Sequence, residues 1–485
     1  LTALESSLDE ESVESFPFWK IRESGEPVLL GSGGYWTYSQ LSQAADRIAG
    51  RLPDDQAKTM GFLLLGPSFG GVAAYLSCLR SQRAVPLLVQ PDIHPDLLRN
   101  LLDVYRPNWI LSAVEKPVQT GFSFVWEEYG IRLDKAVKPY RGPEPHPDLA
   151  ILLSTSGSTG SEKLVRLSYS AIAANARSII EYLGLGSGDR TITTLPMAYS
   201  FGLSILNSFL GAGGSLVMTE ESVMSRPFWT LAQESGITSI SGVPSTFEML
   251  RRVGLEKRGL DHLTTLTQAG GALRPELIRY FDELARTMGW RMVVMYGQTE
   301  AAPRISYVPP ERLSEKIGSI GVPIPGGNLS VDPASSELVY RGPNIMMGYA
   351  DSRDDLARGD ECGGELRTGD LGRVDEEGFF YVTGRLKRFI KLSGARVNLD
   401  SVEACLSEAL SSQIVCTGVD DKLYTWMLPD DPDAEERVRV LLRDLFGINP
   451  GMNAIVRIEA FPLTQNGKID YFGLQNLLSD EGSQQ

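Results

Sequence analysis

The sequence predicts an α/β protein: a large N-terminal domain of packed, mixed α/β sheets with a β-rich subdomain, plus a small α+β C-terminal domain. Three observations carry this expectation. A length of 485 residues exceeds what one hydrophobic core accommodates. Short apolar runs alternate with amphipathic helical stretches from about Gly34 to Tyr307, the rhythm of strand–helix–strand units with largely parallel sheets. That rhythm fades over 317–383, where Gly, Pro and β-branched residues take over, and the pattern changes again from Gly384 onward.

Each element has a local reason. GYWTYSQLSQAADRIAGRL (34–52) reads as a short strand followed by an amphipathic helix, and MGFLLLG (60–66) as a buried strand. VAAYLSCLR (72–80) follows as a helix with its apolar side inward, and AVPLLV (84–89) returns as a strand. RGPEPHPD (141–148) is a Pro-rich linker before a second α/β stretch that starts at Asp148. Residues 191–219 carry no charge and are long enough to span a bilayer. Pro196 and the glycines Gly202, Gly211, Gly213 and Gly214 break that run into strand, turn, helix and strand, so a buried core segment is expected. Beyond Gly384 come a short strand and the helix SVEACLSEAL (401–410). A boundary near 384–388 divides the chain into domains of 1–386 and 387–485.

Composition narrows the function classes. A formal net charge of −15 argues against nucleic acid or an anionic membrane as a partner, since both would repel the chain. Any anionic ligand must therefore meet locally concentrated positive groups. The four cysteines, Cys78, Cys362, Cys405 and Cys416, form no CxxC pair, so neither a disulfide framework nor a zinc cluster is expected, and a reducing cytoplasm fits. The three histidines, His94, His146 and His262, lie in turn-rich or polar surroundings that suit neither a catalytic triad nor a metal site. The acidic start of the chain has no basic segment of the kind that opens a signal peptide.

The stretch LLSTSGSTGSEKLVRLS (152–168) places Ser, Thr and Gly between two apolar runs and then a single lysine, Lys163. Such a loop can turn its N–H groups toward an anion and add hydroxyl donors and one charge. A Walker A loop needs Gly before the lysine and Ser or Thr after it; here they are Glu162 and Leu164. LVRLS alternates like a strand, and the helix begins later, with Ser170 as its cap and Ile172, Ala176, Ile179, Ile180 and Leu183 as its apolar stripe. The reading is a strand–loop–strand phosphate clamp, with a plain Ser/Gly surface turn as the alternative this loop alone leaves open.

Three further motifs follow in order: MYGQTE (295–300), LRTGDLGRVDEEGFFYVTGR (366–385) and LTQNGKID (463–470). Together with STSGSTGSEK, and with SELVYRGPNIMMGYAD (336–351), they make the chain resemble the adenylate-forming superfamily over roughly residues 30–475. That superfamily contains acyl- and aryl-CoA synthetases, peptide-synthetase adenylation domains and luciferases. The resemblance implies a mobile C-terminal domain and an AMP-forming acid–thiol ligase. The acid and ATP give acyl-AMP and pyrophosphate, and then a thiol of CoA or of carrier-protein phosphopantetheine displaces AMP. ATP and Mg²⁺ are the implied cofactors. An amino-acid-activating enzyme that loads a separate carrier protein is the alternative.

Residue by residue, the resemblance places Thr155, Ser156, Gly157, Ser158, Thr159, Gly160 and Lys163 around the β- and γ-phosphates. Relatives often have Pro before this lysine and Gly after it, and Glu162 and Leu164 depart from that pattern. Gly270, Gly271 and Ala272 match a turn lying against adenine, with Tyr296 as the stacking ring and Gly297 beside it. Thr299 resembles the residue bonded to the α-phosphate, and Glu300 the Mg²⁺ ligand. Asp370 looks like the acceptor of both ribose hydroxyls, and Arg385 like its basic companion. Lys468 resembles the catalytic lysine that offsets charge as a carboxylate attacks the α-phosphate, and Lys387 sits at the family's hinge.

The acid pocket implied by the family is formed by Tyr199 and Ser200, Gly242 and Val243, Gln268 and Ala269, and Gln298 through Arg304. Amino-acid-activating domains commonly place an aspartate at the position of Ser200, and no acid lies within 191–219, which disfavours an α-amino acid. Arg304 is expected either to read a polar or anionic substituent of the acid or to pair with a structural carboxylate. The run GRLKRFIKLSGAR (384–396) holds Arg385, Lys387, Arg388, Lys391 and Arg396 without an acid, and either faces CoA or carrier-protein charges or forms a solvated face. The chain ends shortly after Lys468, so any carrier is expected to be a separate protein.

Overall fold

The computed structural model describes residues 17–21, 23–52, 57–154, 163–386, 388–392, 395–419, 421–429, 433–464 and 469–481. Two large sheets dominate. The first has nine strands in the order Val322–Pro323, Arg304–Tyr307, Arg291–Gly297, Thr265–Gln268, Ser239–Gly242, Arg190–Ile192, Ser215–Val217, Pro27–Gly31 and Gly34–Thr37. Its interior pairings, from Arg291–Gly297 across to Pro27–Gly31, are parallel, whereas both ends are closed by antiparallel strands. The second has eight strands, again parallel at its centre, where Leu149–Ser154, Ala84–Leu88, Thr59–Leu64 and Trp109–Ala113 lie side by side. Buried on both faces, the central strand TMGFLL is a continuous apolar run, as parallel sheets require.

Helices fill the space between the sheets. The largest hydrophobic cluster joins Leu41 and Ile48 of the helix Tyr38–Ala49, Val72 and Leu76 of Phe69–Ser81, and Leu206 and Phe209 of Ser200–Ala212 to strands of both sheets. The first of these helices opens with a reciprocal capping box between Thr37 and Gln40. The uncharged stretch 191–219 is a strand, a turn, the helix Ser200–Ala212 and a strand, its buried side chains shared between this core and two neighbouring clusters. No helix among the described residues is long and apolar enough to cross a membrane.

The β-rich stretch forms a four-stranded antiparallel sheet of Asn328–Val331, Glu337–Arg341, Glu365–Val374 and Phe380–Arg385. After it comes a small α+β unit. It has a hairpin, Phe389–Leu392 with Ala395–Asn398, a three-stranded sheet, and the helices Leu399–Leu410, Ala434–Phe446 and Tyr471–Glu481. Its clusters draw only on residues from Ile390 onward, and the clusters of the larger part draw on none beyond Tyr381.

Candidate functional site

The parallel strands of the nine-stranded sheet end at a common rim, with Gly242, Gln268 and Val294 in register. In open α/β sheets the carboxyl ends of such strands are where ligands lie. Gln268 is buried there, and its amide donates to the carbonyls of Ala269 (3.1 Å) and Gly271 (2.9 Å), which fixes the turn through Gly270 and Ala272. Gly270 adopts φ +83°, and a Cβ there would stand 2.6 Å from the Tyr199 hydroxyl and 2.9 Å from a Val243 methyl. Tyr199 thus packs directly against the turn. One residue on, Ser200 starts its helix with its hydroxyl 3.1 Å from that of Thr299.

Beside this turn three segments meet at one carboxylate. Tyr296, near the end of the strand Arg291–Gly297, donates its hydroxyl to Asp370 Oδ2 at 2.5 Å. Arg385 Nε lies 2.9 Å from Asp370 Oδ1, the two residues being cross-strand partners. Burial first, then the neighbouring carboxylate, holds the Tyr296 phenol well above its ordinary range, so it stays a donor. At Gly297 a Cβ would overlap the Pro303 carbonyl, so the strand can double back to Arg304 only with glycine there.

Opposite, the antiparallel strands Leu149–Ser154 and Leu164–Ser168 frame the Ser/Thr/Gly loop. Thr155, Ser156, Gly157, Ser158, Thr159 and Gly160 lie outside the described residues, as do Lys387 and Lys468. Lys163 pairs with Asp351 at 3.3 Å, and Tyr349 donates to Glu300 Oε1 at 2.7 Å. The helix cap differs from expectation. Ser168, not Ser170, accepts from the Ala171 N–H, because the helix begins at Tyr169 directly where the strand stops.

Arg304 is 3% exposed, with its guanidinium carbon 4.2 Å from the centre of the Phe201 ring. The carbonyl of Arg304 accepts from Asn344 (2.8 Å), which also holds the Ala301 carbonyl (2.6 Å) and is itself held by Tyr340. With its amide oriented to satisfy its surroundings, Asn175 accepts from the Arg304 N–H at 3.0 Å. Burial draws the guanidinium below its ordinary value, and among the described residues the Tyr182 hydroxyl, through a hydrogen bond, and the Tyr199 hydroxyl act the other way. No carboxylate among the described residues pairs with Arg304, and its Nε, like Gln298 Nε2, is buried without a hydrogen-bond partner among them.

A family model described as AMP-binding enzyme matches residues 19–350. The chain belongs to this family. It is 33% identical over 297 residues to an indoleacetate–CoA ligase of Aromatoleum aromaticum, a match covering 59% of this chain and 57% of that protein. To a sulfoacetate–CoA ligase of Cupriavidus necator it is 32% identical over 295 residues, covering 58% of this chain and 57% of the relative. These matches span little more than half the length of either curated protein. In fold the chain is similar to an o-succinylbenzoate CoA synthetase of Bacillus subtilis bound to its acyl-adenylate, with a TM-score of 0.74 at 20% identity over 93% of this chain and 95% of that one. The AMP-binding enzyme thus has the adenylate-forming fold, a large N-terminal part and a small C-terminal part.

Two arginines of this AMP-binding enzyme have roles that sequence reasoning missed. Arg166, fully buried within LVRLS, donates to the carbonyls of Tyr349 (3.2 Å), Met347 (3.1 Å), Gly359 (3.2 Å) and Arg358 and pairs with Glu361. It thereby fixes the strand Gly348–Ala350, which carries the tyrosine bonded to Glu300. A charged residue in the middle of an otherwise apolar strand was the available signal. Arg388 pairs with Asp400 and with Glu403 (3.1 Å), donates to the Cys416 carbonyl (2.6 Å) and stacks 3.9 Å from the Tyr471 ring. With Arg385 bound to Asp370, two of the five cations in the 384–396 run are committed internally, so the run is not the open basic face its composition suggests.

Proposed function

We propose that this AMP-binding enzyme is an ATP-dependent acid–thiol ligase. A carboxylate oxygen of the acid attacks the α-phosphorus of ATP and pyrophosphate leaves with the bonding pair. A thiolate then attacks the acyl carbon, AMP departs, and the thiol proton passes to solvent. The observation that carries this reading is the convergence at one strand rim of the Gly270 turn, the Tyr296–Asp370–Arg385 cluster and the Thr299–Glu300 turn, with Tyr349 bonding Glu300 two residues before Asp351, the partner of Lys163. In this reading the adenine lies between the turn of Gly270, Gly271 and Ala272 and the ring of Tyr296. Asp370 accepts the ribose hydroxyls, and Thr299 bonds the α-phosphate. Residues 155–160 and Lys163 take the β- and γ-phosphates.

Glu300 fits Mg²⁺, a hard cation that is held by one or two carboxylates plus phosphate oxygens. Its carboxylate is partly exposed and oriented by Tyr349. When bound, the ion offsets charge on the phosphates of ATP. Residues 387–485 form the second domain, hinged at Lys387 and delivering Lys468 to the reacting oxygens. The thiol is that of CoA or of a carrier-protein phosphopantetheine. The acid lies between Tyr199, Ser200, Gly242, Val243, Ala269 and Arg304. An α-ammonium there would meet a buried guanidinium and no described carboxylate, so amino acids are disfavoured.

The test is pyrophosphate release with hydroxylamine as acceptor, across a panel of acids. Lys468→Ala is expected to lose nearly all acyl-AMP formation while retaining thioester formation from supplied acyl-AMP. Equal loss in both half-reactions would remove Lys468 from its role, and silence with every acid would remove the ligase reading.

A further inference from the structure

We propose that the acid activated by this chain carries a second oxyanion, a carboxylate or sulfonate, at the end remote from the reacting carboxyl, and that Arg304 receives it. The inference rests on the ligase reading above. Three observations carry it. A guanidinium sealed from water needs a countercharge to recover its lost hydration, and a single ring face returns only part of that. Arg304 has the Phe201 ring at 4.2 Å and the neutral hydroxyls of Tyr182 and Tyr199 beside it, but its Nε is partnerless and it has no carboxylate among the described residues. The charge is also held in place, since its strand is pinned on both sides by Asn344 and Asn175.

A small cavity adjoins it, lined by Tyr182, Ser241 and Thr267 and, for the larger part, by apolar side chains such as Ile179, Phe201 and Met295. Thr267 donates to Ser241 Oγ at 2.8 Å, which leaves the Ser241 hydroxyl proton to be offered elsewhere. Tyr182 donates to Met295 Sδ (2.9 Å) and Ser204 to the Phe201 carbonyl (2.7 Å), so the guanidinium fork and the Ser241 proton are the groups here that suit an oxyanion. The cavity also has a definite distance from the chemistry. Ser204 follows Ser200 by one helical turn, about 6 Å along the axis, and Ser200 touches Thr299. That spacing matches a short acid of about three to six carbons in all, charged at both ends.

The experiment compares succinate with butyrate, glutarate with valerate, and 3-sulfopropanoate with butyrate in the hydroxylamine-coupled assay. The wild type is expected to favour the doubly charged member of each pair by about 100-fold or more in kcat/KM, as sites built around a buried polar partner do. R304M should bring that ratio below about 3-fold through loss on the doubly charged acid, and R304K should restore part of it. Thermal unfolding and ATP binding confirm that each variant is folded. If R304M does not fold, the wild-type ratios and R304K decide. Equal or better use of butyrate and valerate by the wild type, or equal losses on both members of a pair in R304M or R304K, would overturn the proposal. Activity confined to a singly charged aryl or fatty acid would overturn it while leaving acid activation standing. Silence with every acid, ATP still bound, would remove the ligase reading and this inference together.

Discussion

Replacing Asp370 by asparagine removes one charge where three chain segments meet. Its two oxygens take the Tyr296 hydroxyl at 2.5 Å and Arg385 Nε at 2.9 Å, and the side chain is almost fully buried. A hydrogen bond to an ionised acceptor contributes about 1.5–3 kcal/mol, and one to a neutral acceptor about 0.5–1.5. An amide leaves one neutral acceptor and turns the other oxygen into a donor. Two ribose hydroxyls bound to this group would together lose about 2–4 kcal/mol, a rise of roughly 30- to 1,000-fold in Kd for ATP. A nucleotide without these hydroxyls cannot lose what it never gained. Asp370→Asn should therefore change the Kd of 2′,3′-dideoxy-ATP by less than about 3-fold. Calorimetric titration of both nucleotides into both proteins completes the cycle. Any displacement of the Tyr296 ring or of Arg385 weakens the two nucleotides alike and cancels in the ratio. Equal loss for both would refute the ribose assignment, whatever the size of the loss.

Three further outcomes follow from buried cations. Burial pushes the Lys58 ammonium down to about 8, although Asp148 acts the other way. A lysine whose folded value lies below its unfolded one makes stability rise with pH between the two, here from about 8 to 10.5, by at most about 3 kcal/mol. The Pro147 carbonyl at 2.6 Å and the Tyr169 ring favour the charged form and make this an upper limit. Urea unfolding across that range should show the rise, and Lys58→Met should flatten it; parallel profiles would refute the assignment. Arg166→Met strands several carbonyls and should cost about 3–5 kcal/mol in the same assay, with a loss below about 1 kcal/mol refuting the clamp. Arg388→Met should destabilise the C-terminal unit by about 2–4 kcal/mol, read as faster amide exchange in 395–419 and 469–481 with the large sheets unmoved. Uniform acceleration over the whole chain would show instead that the two parts unfold together.

Part of the candidate site's framework was legible because each motif is a short piece of backbone with its own geometric demand. Gly270 and Gly297 stand where a side chain cannot, Tyr296 and Arg385 lie at or next to the ends of their strands, and Asp370 lies within Glu365–Val374 directly across from Arg385. The cap at the start of the helix Tyr169–Leu183 was less legible. Ser168 and Ser170 both offer a hydroxyl, 2.9 Å apart, and only the point where the strand stops decides between them. What the sequence conceals is the partner. Arg388 lies in a run of five cations and looks available to a ligand. The fold brings it to Glu403 and Asp400, 15 and 12 residues away, and to the Tyr471 ring, so it is structural. Arg304 stands alone between apolar neighbours and looks structural, yet no described carboxylate comes to it. Both residues lose hydration on folding, so both must recover it. Arg388 does so within the chain, through Asp400, Glu403 and the Cys416 carbonyl. Arg304 has neutral hydroxyls and a ring face among the described residues, and in the proposal above an anionic end of the acid supplies the rest, which makes an otherwise unfavourable burial into a means of choosing the acid.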